Sequence, residues 1–366
     1  MLSSSLSGLR VLDLSRLLPG PYCTFLLAQA GAEVIKVESP LAGDYLRLAP
    51  TDLGFSSMFD SLNAGKLSLA LNFRTARGRE LLLQLVRDAD VFLEQFRPGA
   101  AERWGLGYST LRTVNPRLVY CSLSGYGQAG PYRDRAGHDL NYITVGGLLS
   151  LNHAEGEAPH IPPTPIADMA GGMLAAFSIL SALLGRERTG EGAYLDVALT
   201  DAVLSWVEPL AAAVAANPAV NVRLPLSGGL PCYNVYAAAD GKFFTLAALE
   251  PHFWAAFCKT IGREDFLPRA ADPQLKPELD AVFRTRTQAE WLELFEGVEA
   301  CLEPVLPLDE LRRHPQVQQR RAVLGLSTEH RAAPLGAHTR QILERLGVSE
   351  AEMKALETEG VIKMAG

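Results

Sequence analysis

Three side chains able to move a proton stand where the chain turns into or out of a regular element. His138 lies in the polar run Gly137-His138-Asp139-Leu140-Asn141-Tyr142, between a loop and the apolar stretch ITVGGLLSL. A histidine there can be a solvated loop residue, a hydrogen-bonded core residue or, because its ring titrates near neutrality, a general acid or base. Asp168 directly precedes the glycine-containing apolar stretch MAGGMLAAFSILSALLG. Aspartate is a favoured helix N-cap, and a carboxylate at a helix start also meets the dipole and free N–H groups, so capping and catalysis are both open to it. Glu250, with Pro251, opens PHFWAAFC after the strand-like FFTLAAL; alone it reads as an ordinary helix start. The remaining histidines lack metal-ligand spacing, and no HExxH, GxSxG or Walker A pattern occurs, so neither a metal nor serine-hydrolase chemistry is expected. GYGQAG (Gly125, Gly127, Gly130) satisfies GxGxxG. However, Pro131 and a charged run occupy the place where a phosphate-cradling helix should begin. The reading is therefore a turn at a strand's carboxyl end, the edge at which open α/β sheets bind ligands.

The elements that must position these groups alternate. LRVLDL, EVIKVE, LSLALNF, VFLEQF and RLVYCSLS read as strands, with helical patterns over PYCTFLLAQAGA and about Thr75 to Asp88 between them. Such alternation predicts an α/β fold with a mostly parallel, Rossmann-like sheet. A polar, proline-rich segment from Ser150 to Pro165 reads as a loop, AYLDVAL as a further strand, and residues from Thr200 to Ala216 as a helix ending before Asn217-Pro218. Two β-rich runs around Asp240-Gly241 carry the signature of a type I′ hairpin, which begins a smaller α+β domain.

Length and composition agree with this plan. The chain has 366 residues, 48 % of them hydrophobic and 20 % charged, which excludes wholesale disorder. A net charge of -7 argues against general affinity for nucleic acid or an anionic membrane. The apolar run Met169 to Gly185 falls short of the roughly 20 residues of a bilayer span and reads as a buried helix. Five scattered cysteines without CxxC spacing suit a reducing, cytoplasmic setting, and no targeting signal is seen.

In order, LRVLDLSRLLPGPYCTFLLAQAGAEVIKVESP, GDYLR, FRPG, SGYGQAGP, ADMAGG, GEGAYLDVALTDA, YNVYAAADGKFFTLAALEPHFW and GAHTRQILERLG resemble the family III CoA-transferase (CaiB/BaiF) superfamily. The resemblance implies an interlocked homodimer. Each subunit would have a large domain over 1–225, a small domain over 226–325, and a return to the large domain over 326–366. Gly137-His138-Asp139 and Glu250 resemble the α-methylacyl-CoA racemase branch. His138 and Asp168 would then exchange the α-proton of a 2-methylacyl-CoA thioester from opposite faces, with Glu250 holding the histidine. The alternative is a CoA-transferase with Asp168 as nucleophile. Coenzyme A would be the substrate's carrier, with no further cofactor. By position Arg47, Arg74 and Arg97 resemble the family's CoA-contacting region, with Lys36 at a nearby strand end. One departure is the absence of the family's usual basic residues at Ala64 and Leu67. Met169, Met173 and residues 148–151 are candidates for the acyl wall.

Overall fold

The computed structural model describes residues 4–48, 54–153, 156–219, 226–324, 326 and 331–365. The chain divides into two compact units, residues 1–207 with 321–366, and residues 208–320. The joints expected at 225 and 325 lie outside the described residues.

The larger unit is built on a seven-stranded sheet. Its strands are β1 (Arg10–Leu14), β2 (Glu33–Glu38), β3 (Leu67–Leu71), β4 (Val91–Glu94), β5 (Val119–Ser124), β6 (Ala193–Ala198) and β10 (Ile362–Lys363), in the order β10-β3-β2-β1-β4-β5-β6. All neighbours pair in parallel except β10, which runs antiparallel to β3. Every residue of β4 and β5 is buried. These strands therefore show no apolar/polar alternation, as expected where helices cover both faces. On one face lie α1 (Pro19–Gln29), α6 (Asp139–Val145) and α7 (Ile166–Thr189), whose Leu27, Ile143, Ala175 and Ile179 join the core beneath Val91, Leu93 and Cys121. Leu81, Leu82 and Leu85 of the helix Ala76–Arg87 cover the other face with Ile342 and Leu356 from the chain's last helices.

Close approach at the start of α7 depends on a glycine pair. A Cβ on Gly171 would lie 2.3 Å from the Leu199 side chain, and one on Gly172 would lie 2.4 Å from the Pro19 carbonyl. Backbone and side chain are thereby brought together where no larger residue fits. This helix is longer than the apolar run suggests, 24 residues, and one face is uncovered: Met173, Phe177, Leu180 and Leu184 are exposed at spacings of 4, 3 and 4. The expectation of a buried helix therefore holds for one face only. The following helix α8 (Leu199–Ala216) also exposes Leu204, Trp206, Leu210 and Val214. Both are long and apolar enough to cross a bilayer. Yet α7 packs its other face into the core and buries Arg186 against Asp90 at 2.9 Å.

The smaller unit has a three-stranded antiparallel sheet, β7 (Tyr233–Ala237), β8 (Phe243–Ala247) and β9 (Leu302–Pro304). Its core is aromatic, with Tyr236, Phe244, Phe257, Phe283 and Trp291 buried together. The hairpin turn differs from the type I′ expectation. Among the described residues of this turn only Gly241 has positive φ, +77°, whereas type I′ needs two. Ala238 accepts from the Gly241 N–H at 3.1 Å and donates to the Lys242 carbonyl at 2.8 Å, a turn closed by one left-handed glycine. The helix Pro251–Thr260 follows, with Glu250 at its N-cap.

Candidate active site

The sheet order reverses between β1 and β4, and two cavities open at the carboxyl edge on either side of that point, where such sheets place ligands. One, of about 380 Å³, is lined by the ends of β1, β2 and β3, including Ser15, Glu38, Tyr45, Asn72 and Arg74. The other, of about 460 Å³, is lined by the ends of β4 and β5 and by the loop after β5, including Arg97, Gly125, Tyr126, His138 and Tyr142. Arg16 and Phe96 line both.

His138 is the N-cap residue of α6 and is exposed. Asp168 is not the N-cap of α7; that position is Pro165, and Asp168 is the third helical residue, half-buried. The two segments are joined by the residue between them in role: Asp139, next to His138, accepts from the Asp168 backbone N–H at 3.0 Å. Burial, followed by the charge of Asp139, pushes the Asp168 carboxyl up from 3.8 to about 7. A helix start stabilises an anion by only about 0.3–1 kcal/mol, so burial wins. Near neutral pH the group is therefore available both as acid and as base. Glu250 belongs to the smaller unit, where it is exposed and, among the described residues, has no hydrogen bond through its carboxylate.

The expected phosphate ligands divide. Lys36 is not at the edge of a site; it is 1 % exposed, donates to the Ser15 carbonyl at 3.0 Å and pairs with Asp44 at 3.1 Å. Burial alone would lower its pKa, but the carboxylates of Asp13, Asp44 and Glu38 outweigh it and hold the ammonium above its ordinary value. Arg47 is likewise committed: it forks onto Glu38 at 2.7 and 2.8 Å and stacks on Phe59 at 4.2 Å. Both cations hold the fold together. Arg74 and Arg97 are exposed and line the cavities, Arg74 over the Trp104 ring at 4.5 Å. Lys66, beside the positions where basic residues are missing, is buried by bonds to Thr24, Pro21, Asn63 and Asp13.

Sequence reasoning missed the cations that do face the larger cavity, Arg16, Arg103, Arg133 and Arg135. Arg103 Nη1 and Arg133 Nη2 each come within 3.4 Å of the point where a Gly99 Cβ would stand. Arg133 is steered by the Gln128 carbonyl at 3.0 Å, and its carboxylate neighbour is Asp134. Guanidinium groups gathered this way need anions for company. Their sequence signal was faint, since they are single residues scattered after β1, β4 and β5. Of the expected acyl wall, neither Met169, Met173 nor residues 148–151 line these two cavities, and Met173 is on the uncovered face of α7.

Residues 6–353 match the family described as CoA-transferase family III. The chain is 35 % identical to α-methylacyl-CoA racemase of Homo sapiens, covering 98 % of each chain. It is 32 % identical to succinyl-CoA:glutarate CoA-transferase of Mus musculus, covering 98 % of this chain and 90 % of that one. Its fold superimposes on the crystal structure of a CaiB/BaiF family protein from Brucella suis with a TM-score of 0.81, at 28 % identity, over 94 % of this chain and 100 % of that one.

Proposed function

This chain belongs to CoA-transferase family III, and from that premise we propose that it racemises 2-methylacyl-CoA thioesters through an enolate. The observation that carries the proposal is the Asp168 carboxyl, pushed up to about 7 and tied through Asp139 to the segment bearing His138. A nucleophilic carboxylate is best ionised throughout the working range. A group that must take a proton from one enantiomer and give one to the other is best poised near the working pH. On this reading His138 and Asp168 serve opposite faces of the α-carbon. One breaks the C–H bond while the electron pair moves into the thioester carbonyl, and the other, in its acid form, protonates the far face. Glu250 is assigned to hold the histidine by accepting from its second ring nitrogen; that assignment rests on the sequence resemblance.

Coenzyme A, the only carrier the reaction requires, would lie along the carboxyl edge. Arg97, Arg103, Arg133 and Arg135 supply its phosphates with charge, and Arg74 with the adjacent aromatic rings lines the neighbouring cavity. The uncovered apolar faces of α7 and α8 support a homodimer, since a second copy would cover the stripe Met173-Phe177-Leu180-Leu184. Five unpaired cysteines fit a cytoplasmic setting.

The second reading, transfer of CoA between carboxylic acids with Asp168 as nucleophile, has the likeness to the mouse transferase behind it. One experiment separates the two. A single enantiomer of a 2-methylacyl-CoA, incubated in deuterated water, gains α-deuterium and loses optical purity if the protein is a racemase, and His138→Ala and Asp168→Ala each nearly abolish both. Passage of CoA to an added free carboxylate without α-exchange, with His138→Ala still active, would establish the transferase instead.

A further inference from the structure

We infer that Tyr142 is a positioning residue for the proton transfer at His138, acting through the Gly137–His138 peptide unit; the inference rests on the racemase reading. That peptide unit is held at both ends. The Tyr142 hydroxyl donates to the Gly137 carbonyl at 2.5 Å, and the His138 N–H donates to Asn141 Oδ1 at 3.0 Å. The His138 carbonyl in turn accepts from the N–H groups of Asn141 and Tyr142 at 2.8 and 3.3 Å. Because the unit is planar, fixing its C=O and N–H together fixes where the His138 Cα sits and how its side chain enters the 460 Å³ cavity.

The hydroxyl can reach the carbonyl only because the ring is wedged in place. A Cβ on Gly125 would stand 2.4 Å from the Tyr142 ring and one on Gly137 2.8 Å from it, so two glycines leave the space the ring fills. Tyr126 meets it edge-on at 5.0 Å, Tyr132 meets Tyr126 at 5.3 Å, and the Arg135 guanidinium lies 3.8 Å over Tyr132. Three aromatic rings thus run from a cation of the phosphate cradle to the carbonyl behind the histidine. The Asp168 backbone is set by α7, and its bond to Asp139 uses the Asp168 N–H and the Asp139 side chain, not the Gly137–His138 peptide unit. Removing the hydroxyl leaves the ring's packing intact but frees a glycine-linked peptide to rotate, so the imidazole is displaced while the opposing carboxyl keeps its place.

The chemistry makes that asymmetry measurable. Inversion in either direction passes through both proton transfers, so a displaced His138 slows both directions equally. Exchange with retention needs one group only: Asp168 takes the α-proton, trades it with solvent, and returns deuterium to the same face of the enolate. Each enantiomer of a 2-methylacyl-CoA is incubated separately in deuterated water with wild type and with Tyr142→Phe, and inversion and α-label are followed together. Inversion is expected to fall about tenfold to a hundredfold, the cost of misplacing a group by about 1 Å, with KM unchanged. For the enantiomer whose α-hydrogen faces Asp168, the ratio of exchange to inversion should rise by about the same factor, and for the other enantiomer it should not. Should Tyr142→Phe fail to fold, Asn141→Ala, at an exposed position, releases the other end of the same peptide unit and predicts the same one-sided change. Equal ratios for both enantiomers in the folded variants would overturn the inference even if rates fell, because loss of structure slows every step alike. Absence of α-exchange in wild type would instead remove the racemase reading, and this inference with it.

Discussion

Replacing Asp168 by asparagine should make the protein more stable above neutral pH while removing its activity. A rise of the carboxyl pKa from 3.8 to about 7 corresponds to about 4 kcal/mol between its protonation states, at about 1.36 kcal/mol per pH unit. The group is half-buried rather than enclosed, and the start of α7 returns up to about 1 kcal/mol to the anion. A working value is about 2 kcal/mol. The folded state binds the proton more tightly than the unfolded chain, so this stability is complete below pH 3.8, declines as pH rises toward about 7, and is gone above it. Asparagine cannot ionise and shows no such decline. Denaturant unfolding of both proteins at pH 4 and pH 8 measures the difference directly. The variant should gain about 2 kcal/mol relative to wild type between the two conditions. Glu94, also pushed up to about 7 by burial, titrates in both proteins and cancels. A variant-minus-wild-type difference that is the same at both pH values would refute the argument, because it would mean that the carboxyl is ionised in the fold at ordinary cost.

Four further outcomes are expected. Arg103→Ala and Arg133→Ala should raise KM for a CoA ester about tenfold with a smaller change in kcat, because contacts remote from the reacting carbon supply uniform binding; steady-state kinetics decides it, and Lys36→Ala should instead unfold the protein more readily because it leaves Asp44 buried and unpaired. Gly125→Ala places a methyl group 2.4 Å from the Tyr142 ring and should cost about 1–3 kcal/mol by overpacking, read as a lower denaturation midpoint. On the proposed homodimer, Phe177→Asp, in the exposed stripe of α7, should shift sedimentation from dimer to monomer or yield insoluble chain, and an unchanged dimer would place the interface elsewhere.

The parallel strands were legible because β4 and β5 are short, mostly apolar runs between turn signals, the pattern of a sheet covered on both faces. His138 and Asp168 stood out as titratable groups at element boundaries. Asp139 did not, although it tunes Asp168, since its role is a hydrogen bond across 29 positions of sequence. Lys36 and Arg47 misled for the opposite reason. Charge near a strand end looks the same on paper whether it faces a ligand or a buried carboxylate, and only the fold brings Glu38 and Asp44 against them. The missing strand β10 has two residues, too few to leave any periodic trace.

That last strand has a consequence for how the chain comes off the ribosome. The outer edge of β3 has its donors satisfied entirely from far downstream: Ser68 N–H by His338 Nδ1 at 3.0 Å, Ala70 N–H by the Thr339 hydroxyl at 3.1 Å, and the next donor, Asn72 N–H, by the Val361 carbonyl at 2.7 Å. Burial lowers the pKa of His338, keeping that nitrogen free to accept. Everything between residues 72 and 338, the smaller unit included, must be synthesised before this edge finds its cover. For most of translation a mostly apolar strand, Leu67–Leu71, therefore presents open backbone groups to its surroundings, the situation in which unrelated strands add on. Nascent chains halted before residue 338 should accordingly demand chaperone capacity that the finished chain does not.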